Sequence, residues 1–232
     1  MSIKNCVSAA EWQARCELAA LYRVIAYYKM TDLIDTHISL RVPDQQDHFL
    51  INQYGIAFEK MTASTLVKID HDGHIVLPEE HNKPVNQAGF VIHSAIHHAR
   101  PEIDCVIHTH TADGIAVSAQ QQGLLPISQH ALKFYQKLAY HGYEGVALST
   151  DERERLVADL GQYRAMILRN HGLLAVGESI ARAFHEIYFL ERACQAQVKA
   201  LSGGAALHYP PEEICQKTAQ QFASPLIEPI LQ

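Results

Sequence analysis

The sequence has no cysteine framework and no long apolar run. Its five cysteines are odd in number and scattered, and none stands in a C-x-x-C pair. This pattern predicts free thiols in a reducing compartment and argues against a disulfide scaffold or a thiolate zinc knuckle. No apolar stretch approaches the roughly 20 residues of a membrane helix, and the start, MSIKNCVSAAEWQARC, is charged where a signal peptide is apolar. We therefore expect a cytoplasmic protein without a membrane partner.

Basic side chains are scarce as well. Against 25 Asp and Glu there are 19 Lys and Arg, the formal net charge is −6, and no block of like charges occurs. A nucleic-acid-binding domain normally presents a basic face, so we expect a small-molecule substrate and no nucleic acid. The 232 residues are 48% hydrophobic, and no linker, repeat or low-complexity run divides them. This predicts one domain over residues 1–232, with a large core.

Apolar periodicity predicts an α/β fold without the regular βαβ cadence of a dinucleotide-binding domain. Helices are predicted for SAAEWQARCELAALYRVIAYYKM, NQAGFVIHSAIHHARPE, TADGIAVSAQ, STDERERLVADLG and SIARAFHEIYFLERACQAQVKALSGG. SQHALKFYQKLAY is expected to be helical or irregular, and the Pro-rich tail to hold a last partial helix. Strands are predicted for THISLRV, DHFLINQ, GHIVLP, IDCVIHTH, GVALST and both halves of AMILRNHGLLAVG, with TASTLVKID as a bridging segment.

Two pairs of residues have the spacing of a capping box, Ser8 with Glu11 and Ser149 with Glu152. In the first helix, Trp12, Cys16, Ala19, Tyr22 and Ala26 recur at helical spacing. This spacing predicts a helix in this segment.

Fifteen histidines are present, and two of them end a buried strand as His108-Thr109-His110. Alternate residues of a strand point the same way, about 7 Å apart, so the two imidazoles can converge on one metal ion. Two polar residues that only end a strand at the solvent would give the same sequence pattern. A third histidine strengthens the metal interpretation, because His171 stands between Asn170 and Gly172, where a sharp turn is expected. Three imidazoles with an open position suit zinc, and also manganese, iron or cobalt.

The motifs CVIHTHT and ILRNHGLLAVGESIARAFHEIYFLERACQAQ resemble the class II aldolase/adducin family. THISLRVP, DHFLINQYGIAFEKMTASTLVKID and GLLPISQ are closest to its adducin-head-like bacterial branch. The resemblance covers about residues 15–205 and leaves 206–232 as a C-terminal tail. It implies a three-layer α/β/α fold around a largely antiparallel sheet, and a tetramer with active sites between subunits. It also implies a divalent metal ion, zinc first, held by His108, His110 and His171.

The resemblance has departures that bear on the chemistry. The aldolases have a metal-binding, proton-transferring Glu where this chain has Gly89, four residues before His93. Their phosphate-binding Asn corresponds to His37 and a Thr to Tyr54, whereas Gly55 is kept. Their serine pair corresponds to Gln87-Ala88, and their proton-donating Tyr falls near His130. The departures predict that the substrate carries no phosphate.

Three interpretations follow. The first is a metal-dependent lyase, for example a decarboxylase of a hydroxy or oxo acid, with His130 or His37 returning the proton and Arg41 binding a carboxylate. The second is an aldolase or epimerase with rearranged proton transfer, for which His93 and Tyr54 are candidates. The third is a non-catalytic adducin-like oligomer, although the long neck and basic tail of eukaryotic adducins are missing from this sequence. We rank the lyase first and the non-catalytic oligomer second.

Overall fold

The computed structural model describes residues 2–145 and 151–224. Its helices are α1 (Ala9–Tyr27), α2 (Gln87–Ala99), α3 (Ala112–Ser118), α4 (Gln129–Leu132), α5 (Asp151–Leu160), α6 (Ile180–Ser202) and α7 (Glu212–Phe222). Its strands are β1 (His37–Val42), β2 (Gln45–Asn52), β3 (Leu66–Asp70), β4 (Cys105–Thr109), β5 (Ala139–His141), β6 (Ala165–Leu168) and β7 (Gly172–Gly177). Three short 3-10 helices cover Ile3–Asn5, Phe58–Lys60 and Pro78–Glu80.

The seven strands form one sheet in the order β3-β2-β1-β4-β7-β6-β5. All neighbouring pairs are antiparallel except β5 and β6, which are parallel and are joined by a connection that contains α5. In the centre, His37 of β1 lies opposite His108 of β4, and His108 lies opposite Leu174 of β7. The largely antiparallel sheet expected from the sequence is therefore confirmed.

Helices cover both faces of the sheet, which gives the predicted three layers. On one face α1 and α6 pack against alternate strand residues such as Ile38 and Ile107. On the other face α2 and α5 enclose a second apolar cluster that includes Val106 and Leu174. Because side chains alternate along a strand, His37 and His108 point toward the α2 side.

The first helix is present as predicted and begins after the Ser8 cap. Ser8 caps it by accepting a hydrogen bond from the backbone N–H of Glu11, at 3.0 Å. The Glu11 side chain instead binds two buried cations, Arg15 at 2.9 Å and Lys68 at 2.9 Å, so the capping box is only half formed. Cys16 is exposed. Ala19 and Tyr22 of the apolar pattern are buried beside this ion-pair network, which the pattern did not indicate because it counts only apolar residues.

The predicted strand at GHIVLP is wrong, since the structure has only an isolated bridge between Ile75 and Ile69 there. The third strand lies in the segment that was expected to be a bridge, TASTLVKID, as β3. Most of the predicted strand GVALST and Ser149 of the second capping box lie outside the described residues. In the described ranges no helix has the length and apolarity to cross a membrane.

Candidate metal centre

The candidate site lies at one edge of the sheet, where three central strand ends and one turn come together. β1 begins at His37, its partner β4 ends at Thr109, and β7 begins at Gly172 just after the turn that leaves β6. The chain segments are distant in sequence and become neighbours only through the antiparallel pairing of these strands.

The three predicted ligands converge at this edge. The Nε2 atom of His110 lies 2.7 Å from Nε2 of His108 and 3.0 Å from Nε2 of His171, and the third Nε2 pair is 3.3 Å apart. Nitrogen atoms bound tetrahedrally to a zinc ion at 2.0–2.1 Å would be about 3.3 Å apart. Three neutral lone pairs aimed at one point repel each other unless a cation or proton lies between them. The donor set therefore fits a divalent ion.

A hydrogen bond to His108 and a charged contact to His110 orient two of these rings from outside the cluster. Nδ1 of His108 donates to the carbonyl of Leu173 at 2.9 Å, which leaves the lone pair on Nε2. Nδ1 of His110 lies 3.6 Å from a carboxylate oxygen of Asp32, in the loop before β1. Contacts of this kind fix the ring orientation and the tautomer of metal-binding histidines.

The turn that carries His171 has the local chemistry that the sequence predicted. Asn170 has a left-handed backbone, with φ of 54°, which asparagine tolerates better than most residues. The backbone N–H of His171 donates to the hydroxyl of Ser118 at 3.2 Å. Gly172 is required by space and not by φ, because a Cβ atom there would lie 2.4 Å from the carbonyl oxygen of Thr109.

Burial keeps the three rings in the neutral form that binds metals. It lowers the pKa of His108 well below its usual value, and the neighbouring His37 and His171 act in the same direction. Burial also lowers the pKa of His110, although Asp32 opposes the shift, and it lowers the pKa of His171 to about 4. Near pH 7 no proton has to be displaced from these side chains before an ion binds.

His37 fills the space that a side chain at position 89 would need. A Cβ atom built on Gly89 would lie 2.6 Å from Cδ2, 2.8 Å from Cγ and 3.0 Å from Nε2 of His37. The His37 ring packs against that of His108, with centroids 5.0 Å apart. An imidazole from β1 therefore occupies the space beside α2 that a side chain at position 89 would need.

The other predicted site residues lie in different parts of the fold. Tyr54 and Gly55 follow β2 at the same edge of the sheet as His37; Tyr54 is 37% exposed and Gly55 has φ of 90°. Arg41 is four residues along β1 from His37. Its guanidinium donates to the carbonyls of Gln46 at 2.6 Å and Ile103 at 3.0 Å. Since backbone carbonyls occupy this group away from the histidines, we do not retain Arg41 as a substrate ligand.

His130 lies in α4, where its ring packs 5.0 Å from that of Phe189 in α6. It lines a cavity with Tyr28, Phe184 and Tyr188, and none of the three clustered histidines lines that cavity. A role for His130 in proton transfer stays a prediction.

Several residues near the site were not singled out from the sequence. Asp32 lies in an irregular loop with no motif to mark it. Ser39 looked like an ordinary strand residue, although its place two residues after His37 put it on the same face. Tyr143 is 55% exposed and its ring centroid lies 6.3 Å from that of His171. Asp32 and Tyr143 could have been identified only from the three-dimensional fold.

Sequence and structure comparisons find relatives of this chain among class II aldolases and adducins. The model of the Class II Aldolase and Adducin N-terminal domain matches residues 16–198. A crystal structure of an aldolase II superfamily protein from Pseudomonas syringae has 53% identity and a TM-score of 0.91, covering 98% of this chain and 92% of that one. L-fuculose 1-phosphate aldolase from Glaciozyma antarctica PI12 has 31% identity and a TM-score of 0.83, covering 92% and 82%. Alpha-adducin from Rattus norvegicus is 46% identical over 189 residues, which are 81% of this chain and 26% of that protein.

The three-layer fold and the histidine cluster define a class II aldolase-type domain. The chain belongs to the class II aldolase and adducin family, as its sequence motifs had indicated.

Proposed function

We propose that this protein is a divalent-metal-dependent lyase that makes or breaks a carbon–carbon bond, by decarboxylation or aldol-type chemistry. The substrate is a small hydroxy or oxo acid, or a carbonyl compound, without a phosphate group. The convergence of three neutral imidazoles within 2.7–3.3 Å is the observation that carries this proposal. A zinc ion is the first choice for these ligands, and manganese, iron or cobalt would also be accepted.

Each residue of the site has its own role in this proposal. His108, His110 and His171 hold the ion, which when bound supplies a Lewis acid for a carbonyl or carboxylate oxygen. His37 is the proton-transfer group, because its ring occupies the place of the missing side chain at position 89 and lies against His108. Tyr54 and Gly55 line the substrate side of the same sheet edge. The chain acts in the cytoplasm as a homotetramer, in which His130 of one copy can approach the pocket of another.

The second candidate is a non-catalytic adducin-like oligomer that binds other proteins. The specific observation in its favour is the 46% identity with rat alpha-adducin. This identity exceeds the 31% shared with the fuculose phosphate aldolase. An assembly protein has no need of three converging imidazoles, with His108 oriented by the Leu173 carbonyl and His110 facing Asp32, so the details of the pocket favour the enzyme.

Metal analysis of protein purified without an affinity tag separates the two functions. We expect about one divalent ion per chain, and its loss on His108→Ala. His98→Ala is the matched control, because His98 is a histidine on α2 outside the cluster. Protein without metal that keeps the same oligomeric state and stability in both variants would support the adducin-like function and overturn the enzymatic one. Loaded protein should also release CO₂ or an aldehyde from a panel of unphosphorylated hydroxy and oxo acids.

A further inference from the structure

A buried chain of four polar side chains runs from His37 into the protein. Nδ1 of His37 lies 2.8 Å from Nε2 of His93, Nδ1 of His93 lies 2.6 Å from the hydroxyl of Ser39, and that hydroxyl lies 2.7 Å from Nε2 of His97. All four residues are at most 2% exposed. The chain crosses between β1 and α2 and leads away from the metal-binding histidines.

The hydrogen bonds of this chain must all point in the same direction. A neutral imidazole has one donor nitrogen and one acceptor nitrogen, and Ser39 has a single hydrogen to donate. Within the described residues the Ser39 hydroxyl bonds only to His93 and His97, so if both rings donated to its oxygen, its buried hydrogen would have no acceptor. If Nδ1 of His37 donates, then Nδ1 of His93 must donate to Ser39, and Ser39 must donate to His97. If Nε2 of His97 donates, every bond reverses and His37 carries its proton on Nε2. The tautomers of His37 and His97, at the two ends of this hydrogen-bond chain, therefore determine each other.

The far end of the hydrogen-bond chain does not select a direction. Nε2 of His97 is engaged with Ser39, and Nδ1 of His97 has no hydrogen-bond partner in either direction.

The metal pocket selects the first direction. The hydrogen-bond chain uses Nδ1 of His37, so Nε2 is the nitrogen that can act in the pocket, and the His37 ring lies 5.0 Å from that of His108. A cation held by the three clustered histidines would repel an N–H and attract a lone pair, so it would favour a lone pair on Nε2 and the proton on Nδ1.

We propose that His93, Ser39 and His97 are positioning residues that hold His37 in one tautomer, with the proton on Nδ1 and the lone pair of Nε2 presented to the metal pocket. This inference rests on the proposed role of His37 in proton transfer. A proton taken from a substrate hydroxyl or carbon would bond to Nε2 of His37 and leave its electron pair on the substrate. The same nitrogen would return it, because the far end of the chain, at Nδ1 of His97, has no acceptor of good geometry to pass it to. The chain thus provides a carboxylate-free replacement for an acidic side chain at position 89.

Nitrogen NMR of protein labelled with 15N-histidine tests this directly, in zinc-loaded and metal-free samples. Protonated and unprotonated ring nitrogens give well-separated shifts. We expect His37 and His93 to be protonated on Nδ1, with a scalar coupling across the hydrogen bond between His37 Nδ1 and His93 Nε2. A His37 ring protonated on Nε2, or one without a fixed tautomer, would overturn the proposal. The wild-type spectrum decides this point even if a variant fails to fold.

A pair of serine variants tests the role of the chain. Ser39→Ala removes the link that fixes the direction, and we expect the tautomer ratio of His37 to fall about five- to tenfold, the effect of one net hydrogen bond. The control is Ser94→Ala, because Ser94 is a buried serine next to His93 that contacts only the Val91 carbonyl, at 3.4 Å. Equal spectra for both variants would contradict the inference. Failure to bind metal or turn over substrate would instead contradict the proposed function. The spectrum of the metal-free protein would still show the tautomers of the histidines in the hydrogen-bond chain.

Discussion

At the scale of single residues, His37 and Gly89 make a close contact between β1 and α2 beside the candidate metal pocket. A Cβ atom at position 89 would approach the His37 ring to 2.6 Å, and the ring is held in place by its 2.8 Å hydrogen bond to His93. Glycine inside a helix ordinarily costs about 0.5–1 kcal/mol relative to alanine. Overpacking a closed site costs about 1–3 kcal/mol, so the clash outweighs the gain in helix propensity.

We therefore predict that Gly89→Ala destabilises the protein by about 1–2 kcal/mol, measured by urea unfolding. In the background of His37→Asn, which removes the ring, the same change should be neutral or stabilising. The double-mutant cycle measures this reversal of sign. Gly203→Ala is the control, because a Cβ atom at Gly203 meets nothing within 4 Å and the residue has an ordinary φ of −87°. Additive effects of the two substitutions would show that the clash is relieved elsewhere.

At the scale of elements, the turn between β6 and β7 sets the position of His171. Gly172 lies against the backbone of β4, where a Cβ atom would be 2.4 Å from the Thr109 carbonyl oxygen. A backbone atom cannot rotate away as a side chain can, so an added methyl group must push β7 or the turn out of place.

We predict that Gly172→Ala weakens zinc binding about 10- to 100-fold, the range seen when residues that orient metal ligands are changed, as measured by competition with a chromophoric chelator. Asn170→Gly is the matched control, because glycine accepts the left-handed backbone at position 170. Its zinc affinity should stay within a few-fold of wild type. Unchanged affinity in Gly172→Ala would mean that the turn does not determine where His171 lies.

The sequence predicted the elements well where one periodicity was strong. The α6 helix begins after Ser179, which accepts a hydrogen bond from Arg182 N–H at 3.1 Å, and ends at Gly203, as its capping residues indicated. The strand β3 was missed because TASTLVKID and the neighbouring GHIVLP have similar β-branched content. Strand pairing decided between them, and pairing depends on residues distant in sequence.

At the scale of the whole molecule, buried neutral histidines make folding depend on pH. Burial lowers the pKa of His97 to about 3, and the pKa of a histidine in an unfolded chain is about 6.5. Between these values the unfolded state binds the extra proton. The contribution of His97 to stability is therefore complete above pH 6.5 and is lost progressively as the pH falls toward 3.

We predict that the free energy of unfolding falls by about 2 kcal/mol from this residue alone between pH 7 and pH 5. Urea unfolding at both pH values measures the fall, and His97→Gln should reduce the difference by that amount. His208→Gln is the control, since His208 is exposed near the C-terminal helix and should leave the difference unchanged. An identical pH dependence in wild type and His97→Gln would refute the assignment.

The candidate site could be predicted only in part, for a reason that also belongs to this scale. His108, His110 and His171 were found because a strand alternation and a turn signal each mark a position locally, and the family motifs join them. The Ser39 link between His93 and His97 has no local signal, since its geometry arises from packing α2 on β1. Arg41 was misjudged for the same reason, because only the fold shows the carbonyls that surround it.

The exclusion between positions 37 and 89 also constrains how such sequences can change over time. A lineage that acquires a side chain at 89 while keeping the imidazole at 37 passes through a poorly packed intermediate, and one that loses the imidazole first has an empty space. The two positions should therefore covary among related chains.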